Sequence, residues 1–211
     1  MIAIIDYNVG NLYNLKNALD FQKLPNRIVK TPDELAQATH ILLPGVGAFR
    51  PAMEHLEATG MIPVIRQKVA DSIPFLGVCI GMQLLFEASE EDGETTGLGL
   101  IKGRVVRFSN GKGLKVPQIG WNQVNLQGED ALTSGIPDRS YFYFVHSYHA
   151  VLNDQQNAVG LADYGETFPA IVRHGNVWGA QFHPEKSQNA GLKLLENFAR
   201  LTPGHPAAVT N

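Results

Sequence analysis

Four short apolar runs recur through the first 90 residues: Ile2–Asp6, Arg27–Lys30, His40–Leu43 and Ile73–Val78. Segments with helical patterning separate them. Parallel strands cannot be joined by tight turns and need crossover segments, so this alternation predicts an α/β domain with a mostly parallel sheet. In the first crossover, Leu12, Leu15, Leu19 and Phe21 fall roughly on one helical face. In the second, Thr31 can cap, Pro32 fits the first helical position and Glu34 completes a capping box. The third, residues 48–70, reads as helix broken near Gly60. A further helix is expected directly after Cys79, over Gly81–Ser89.

The second half changes character. Residues 90–100 form a polar, Gly-rich loop, and strand-like runs follow at 101–108, 141–145, 147–152 and 157–162. Residues 170–182 predict a hairpin turning at Gly175-Asn176. A last helix over 187–201 can be capped by Ser187 and stops before Pro203. The expected organisation is one domain over 1–201, with an antiparallel extension of the sheet in its second half, and a loose tail over 202–211.

Composition narrows the class. With 211 residues and 44% hydrophobic content, the chain can bury one sizeable core. A net charge of -3 gives no basic excess for nucleic acid. No apolar run reaches the roughly 18 residues of a membrane helix. A single cysteine cannot close an internal disulfide, which points to a reducing, cytoplasmic setting.

That cysteine sits in Gly77-Val78-Cys79-Ile80-Gly81, a G-x-nucleophile-x-G form between an apolar strand and a helix. Side chains at Gly77 and Gly81 would crowd so sharp a turn. A helix N-terminus favours thiolate and offers free N–H groups. The pentapeptide alone is equally compatible with a core cysteine beside packing glycines. A nucleophile needs a base, and the base an orienting group. Of seven histidines, His183 ends an apolar run and precedes Pro184 and Glu185. If Pro184 keeps that segment extended, Glu185 lies on the same side as His183 and can accept its Nδ1 proton. His146 and His149 are spaced as a metal pair, but no acidic or cysteine cluster completes a ligand set. Pro44-Gly45-Val46-Gly47, just after a strand, could aim N–H groups into a cleft, as an oxyanion requires. Taken by themselves, these residues leave open a hydrolase acting on peptides or esters, and a binding module without catalysis.

Together, the segments Pro44–Gly47, Gly77–Phe86 and Gln181–Ser187 resemble the class I, or triad, glutamine amidotransferases. The resemblance implies a three-layer, flavodoxin-like fold, no cofactor and no metal. It implies that Cys79, His183 and Glu185 hydrolyse L-glutamine as a triad. Gly45, Val46 and Gly47 would form the oxyanion strand, with the Ile80 N–H as a second donor. Gln83, Ser147 and Tyr148 would hold the substrate. Residues 6–15, 116–124, 141–148 and 183–187 further resemble the glutaminase subunits that form a heterodimer with the cyclase subunit of imidazole glycerol phosphate synthase, in histidine biosynthesis. That likeness implies channelled ammonia and places Asn11, Asn14, Gln118, Trp121 and Lys186 at or near the cyclase contact. Subunits of anthranilate, aminodeoxychorismate or pyridoxal phosphate synthases share similar stretches. No nucleic acid or membrane partner is implied.

Overall fold

The computed structural model describes residues 1–10, 12–109 and 114–204. In chain order these form β1 (Ile2–Ile5), α1 (Leu12–Phe21), β2 (Asn26–Val29), α2 (Pro32–Ala36), β3 (His40–Leu43), α3 (Phe49–Ala58), α4 (Ile62–Ala70), β4 (Phe75–Val78) and α5 (Ile80–Gln83). There follow β5 (Ala88–Ser89), β6 (Thr95–Thr96), β7 (Gly103–Arg107), β8 (Gln118–Leu126), β9 (Ser140–His146), β10 (Tyr148–Leu152), β11 (Ala158–Asp163), β12 (Thr167–His174), β13 (Val177–Ala180) and α6 (Gln188–Arg200).

Among the described residues, nine strands form one sheet in the order β2-β1-β3-β4-β13-β12-β11-β8-β9. The first five are parallel, and the rest continue antiparallel. β1, β3, β4 and β13 are buried at every position, as expected of strands covered on both faces. The chain moves one way from β1 to β2 and the other way from β2 to β3 and β4. Right-handed crossovers therefore put α1 on one face and α2, α3 and α4 on the other. α6 returns to pack against α1, which closes the three-layer α/β architecture. A smaller sheet, β10-β7-β5-β6, lies to one side.

Several local expectations are corrected. The helix after Cys79 is one turn, not a run to Ser89. The carbonyls of Leu84, Leu85 and Phe86 are taken by the N–H groups of Leu98, Leu100 and Gly99, so long-range pairing replaces helix. The 90–100 loop contains β6, paired to β5. Phe21 is 77% exposed rather than in the core, because two residues past Leu19 it points away from the buried Leu12, Leu15 and Leu19 face of α1. Ser187 does not cap α6 with its side chain. Its hydroxyl donates to the His183 carbonyl at 2.7 Å and accepts from the Tyr143 N–H at 3.0 Å. Thr31 caps α2, but Glu34 accepts the Lys30 N–H at 2.8 Å, one residue before the cap. At the start of the expected tail, the Gly204 N–H donates to the Ser72 carbonyl. Asn11 and residues 205–211 lie outside the described residues.

Candidate active site

Cys79 follows β4 with φ 55° and ψ -114°, a conformation that L-residues adopt only when their surroundings enforce it. Those surroundings are visible. The Cys79 N–H donates to the Ala180 carbonyl of β13 at 2.8 Å. Its own carbonyl accepts from Met82 and Gln83 at 3.0 and 3.2 Å, starting α5. A Cβ on Gly77 would lie 2.4 Å from the Gly81 carbonyl oxygen, and one on Gly81 would lie 1.9 Å from the Leu43 oxygen. Both glycines are thus required by close backbone approach.

His183 stands just past β13, where its N–H donates to the Tyr143 carbonyl of β9 at 2.9 Å. Its Nδ1 lies 3.0 Å from Glu185 Oε1, and the two side chains are 7% and 2% exposed. The route to this pairing differs from the extended segment expected of the sequence. Pro184–Lys186 form a 3-10 turn with Pro184 at its start, and the turn curls Glu185 back under the ring. The ring and the Cys79 thiol line one cavity. Burial alone would lower the imidazole, but hydrogen bonds and negative charge from Cys79 and Glu185 raise it to about 10.

Opposite the thiol, the Pro44 carbonyl accepts from Tyr7 Oη at 2.5 Å. Gly45 is walled in, with its Cβ position 2.7 Å from the Gly81 nitrogen. Val46 is exposed, and Gly47 turns at φ 92° with open space around it. Ile80 is the first residue of α5, so its N–H has no helical carbonyl to bond.

Val46, Gly47, Cys79, Ile80, Gln83, Ser147, Tyr148 and His183 line one cavity of about 320 Å³. That volume suits a small-molecule site. Gln83 is buried, with its Nε2 donating to the Tyr148 carbonyl at 3.0 Å and to Gln181 Oε1 at 3.1 Å. Glu91, Pro117 and His146 also line the cavity, a place that the sequence reading gave to none of them. Glu91 lay in a polar loop that carries no local signal of a site. Lys186 reaches this cavity as well, and its Nζ lies 5.7 Å over the Tyr143 ring, which meets Trp121 edge-on. Trp121 is half exposed on the outer face, and Asn14 is exposed on α1. Gln118 is not at the free surface: it is buried opposite His146 in the β8–β9 pair. A larger concavity, about 800 Å³, lies between Trp121, Tyr141 and the start of α6, apart from Cys79 and His183. Among the described residues, no group of three or more His, Cys, Asp or Glu could hold a metal ion, and no helix is long and apolar enough to cross a membrane.

Residues 3–201 match the family described as glutamine amidotransferase class-I. The chain belongs to the class-I glutamine amidotransferases. This amidotransferase is 51% identical over 200 residues to a protein of Desulfitobacterium hafniense (strain Y51), named imidazole glycerol phosphate synthase subunit HisH, covering 95% of this chain and 94% of that one. A protein of the same name from Sulfurimonas denitrificans is 49% identical over 205 residues, covering 95% and 98%. Among solved structures, PurLQS from Thermotoga maritima shares the fold with a TM-score of 0.74 at 19% identity, over 93% of this chain and 96% of that one.

The buried histidines of the amidotransferase give a stability prediction. His146 is pushed down to about 4, first by burial and then by the charges of His149 and His183, against a hydrogen bond to the Tyr148 carbonyl. His149 and His40 are lowered too, mainly by burial. These groups stay neutral in the fold but take up protons when unfolded. Their contribution is full above about 6.5 and is lost as pH falls; for His146 the loss runs down to about 4 and amounts to roughly 3 kcal/mol. His183 acts oppositely: raised, it stabilises fully below about 6.5 and loses that contribution as pH climbs toward about 10. Urea midpoints measured from pH 7 to pH 4 should fall, and a His146→Gln variant should fall less steeply. An unchanged slope in that variant would count against this account of His146.

Proposed function

We propose that this amidotransferase is the glutaminase subunit of an imidazole glycerol phosphate synthase. One observation carries the reading: Cys79, held at a strained elbow, shares a cavity of small-molecule size with a His183 that Glu185 orients. The high identity to proteins named as that subunit supports the choice of pathway.

Cys79 Sγ attacks the γ-carboxamide carbon of glutamine. His183 takes the thiol proton as the bond forms, and its raised basicity suits it to hold that proton. The tetrahedral oxyanion takes N–H donors from the Val46–Gly47 loop and from Ile80. As the C–N bond breaks, His183 gives its proton to the departing nitrogen and ammonia leaves. Water then attacks the γ-glutamyl thioester, His183 takes one of its protons, and the C–S bond breaks to give glutamate and the starting thiol. Gln83, Ser147 and Tyr148 hold the amino-acid end of the substrate. Ammonia must remain unprotonated to act as a nucleophile, so it passes directly into a cyclase subunit. There it is consumed in forming imidazole glycerol phosphate and an aminoimidazole carboxamide ribotide. Trp121, Lys186 and Asn14 belong at or near that junction, with Trp121 as its exposed aromatic anchor.

The Gly47 turn has room to reorient, since a Cβ added there would meet nothing within 4 Å. A donor arrangement that is populated only to about 0.1–10% in the free chain leaves it a poor glutaminase. Adding the cyclase and its nucleotide substrate is therefore expected to raise glutamine turnover by at least about tenfold. Glutamate release with and without that partner tests the function. A complex that leaves glutamine intact refutes it, and a free chain already at full rate refutes the gating.

A further inference from the structure

β9 is an edge strand of the nine-stranded sheet, and Tyr143 turns both its backbone groups to the open side. Its carbonyl accepts the His183 N–H at 2.9 Å. A neighbouring strand would offer its own carbonyl to the Tyr143 N–H, but here the chain curls away at Pro184. Ser187 closes the gap. Its hydroxyl accepts the Tyr143 N–H at 3.0 Å and donates to the His183 carbonyl at 2.7 Å, so Tyr143, His183 and Ser187 form one closed ring of hydrogen bonds. The serine is 1% exposed, and without its hydroxyl the Tyr143 N–H loses its partner beneath the turn. Ser187 stands at the N-cap position of α6, where a serine ordinarily accepts from the helix's own first N–H groups, yet its side chain caps nothing there. The hydroxyl is diverted from the helix to the turn. α6 backs that turn from behind: the Gly191 N–H donates to the Ser187 carbonyl at 3.1 Å, and a Cβ on Gly191 would stand 1.9 Å from the Pro184 oxygen.

We propose that Ser187 is a positioning residue for glutamine hydrolysis: its hydroxyl splices the 183–187 turn onto β9 and so sets where the His183 ring stands against Cys79. β9 is the shared reference, because Val145, two residues past Tyr143, presents its carbonyl to the Cys79 thiol. Ser187 thereby ties His183 and Cys79 to one strand. It acts through His183, since it lines the outer concavity beside Trp121 and not the Cys79 cavity. This rests on the glutaminase reading above.

The test compares the wild-type chain with Ser187→Ala, Ser187→Cys and Asn197→Ala variants, each assembled with saturating cyclase subunit because the Tyr143 ring also meets Lys186 and Trp121. Asn197 is the control: it is buried on α6 and donates to the Leu132 and Ser134 carbonyls at 3.0 and 2.7 Å, away from the turn. Glutamine kcat and KM are measured beside the titration of His183, read by NMR with labelled histidine in this subunit alone. For Ser187→Ala the expected result is a kcat about tenfold lower at unchanged KM. That is less than the roughly hundredfold loss of a 1 Å misplacement, because the His183 N–H still holds Tyr143. Its His183 should titrate lower than in the wild type, where it is raised to about 10. Ser187→Cys, a weaker donor and acceptor, should fall between the two. Asn197→Ala should lower Tm yet keep wild-type kcat and titration. Wild-type kcat or an unmoved titration in Ser187→Ala overturns the assignment. So does an equal loss in Asn197→Ala, which would make any loosening of α6 sufficient, and so does a change confined to KM. If Ser187→Ala does not fold, Ser187→Cys decides: lowered kcat at wild-type KM supports the assignment, and wild-type kcat overturns it. If neither folds, the hydroxyl serves folding and the assignment falls. A wild-type complex that does not hydrolyse glutamine overturns the glutaminase reading and this inference with it, whereas normal wild-type turnover beside an unaffected Ser187→Ala overturns the Ser187 role alone.

Discussion

Replacing Cys79 by alanine is expected to lower glutamine hydrolysis by about 10⁴-fold or more while leaving the fold and the affinity for the cyclase unchanged. The thiol is the only group positioned to form the thioester, so what remains is whatever substrate binding and the oxyanion donors do for water attack. The fold should tolerate the change for a local reason. The thiol's hydrogen bond to the Val145 carbonyl is long, at 3.9 Å. Alanine keeps the Cβ and faces the same positive φ as cysteine. The exposed Trp121 face lies outside the cavity and is untouched. The variant also removes two of the influences that hold the His183 proton, so its imidazole should titrate nearer the ordinary histidine range by NMR. Glutamate release and cyclase affinity are the deciding measurements. A variant that still hydrolyses glutamine removes Cys79 from the mechanism, and one that no longer binds the cyclase ties Cys79 to structure instead.

Much of this site was legible because its residue types are locally forced. β4 and β13 are buried throughout, so their apolar runs announce strands, and the glycines around Cys79 announce a turn too tight for side chains. The pairing of His183 with Glu185 was anticipated for the wrong backbone: a proline that reads as a strand stop also serves as the first residue of a 3-10 turn. Elements failed where distant chain decided the outcome. The apolar run after Cys79 has the composition of a helix, yet the 98–101 segment claims its carbonyls. β8 was not read as a strand because its burial alternates irregularly and Gly120 sits at φ 135°. Glu91 was invisible for a third reason. Its partner is the first N–H of α3, which the sequence shows only as an uncapped start at Ala48, and nothing in Glu90–Glu94 points there.

The largest effect on the scaffold is expected at Gly81. A methyl group there would stand 1.9 Å from the Leu43 carbonyl oxygen and 3.2 Å from the Pro44 carbonyl carbon. Both are backbone atoms, so no side chain can rotate away. Leu43 ends β3, which is paired on one side to β1 and on the other to β4, and moving it strains the centre of the sheet. The alternative is to push α5 off β3, which carries Cys79 away from His183 and from the Gly45–Gly47 loop together. Gly77 closes that escape, since its Cα already faces the Gly81 carbonyl with no room for a Cβ. Gly81→Ala is therefore expected to cost roughly 3 kcal/mol, the upper range for overpacking, and to lower Tm by roughly 6–12 °C for a domain of this size. Any folded fraction should turn over glutamine at least about a hundredfold more slowly, because a displacement near 1 Å at the nucleophile is enough for that. Calorimetry and glutaminase assays of the variant complex measure the two effects separately. A variant with wild-type Tm and turnover would mean that the elbow yields without cost, and the close approach of Gly81 to Leu43 would then not be what holds Cys79 in place.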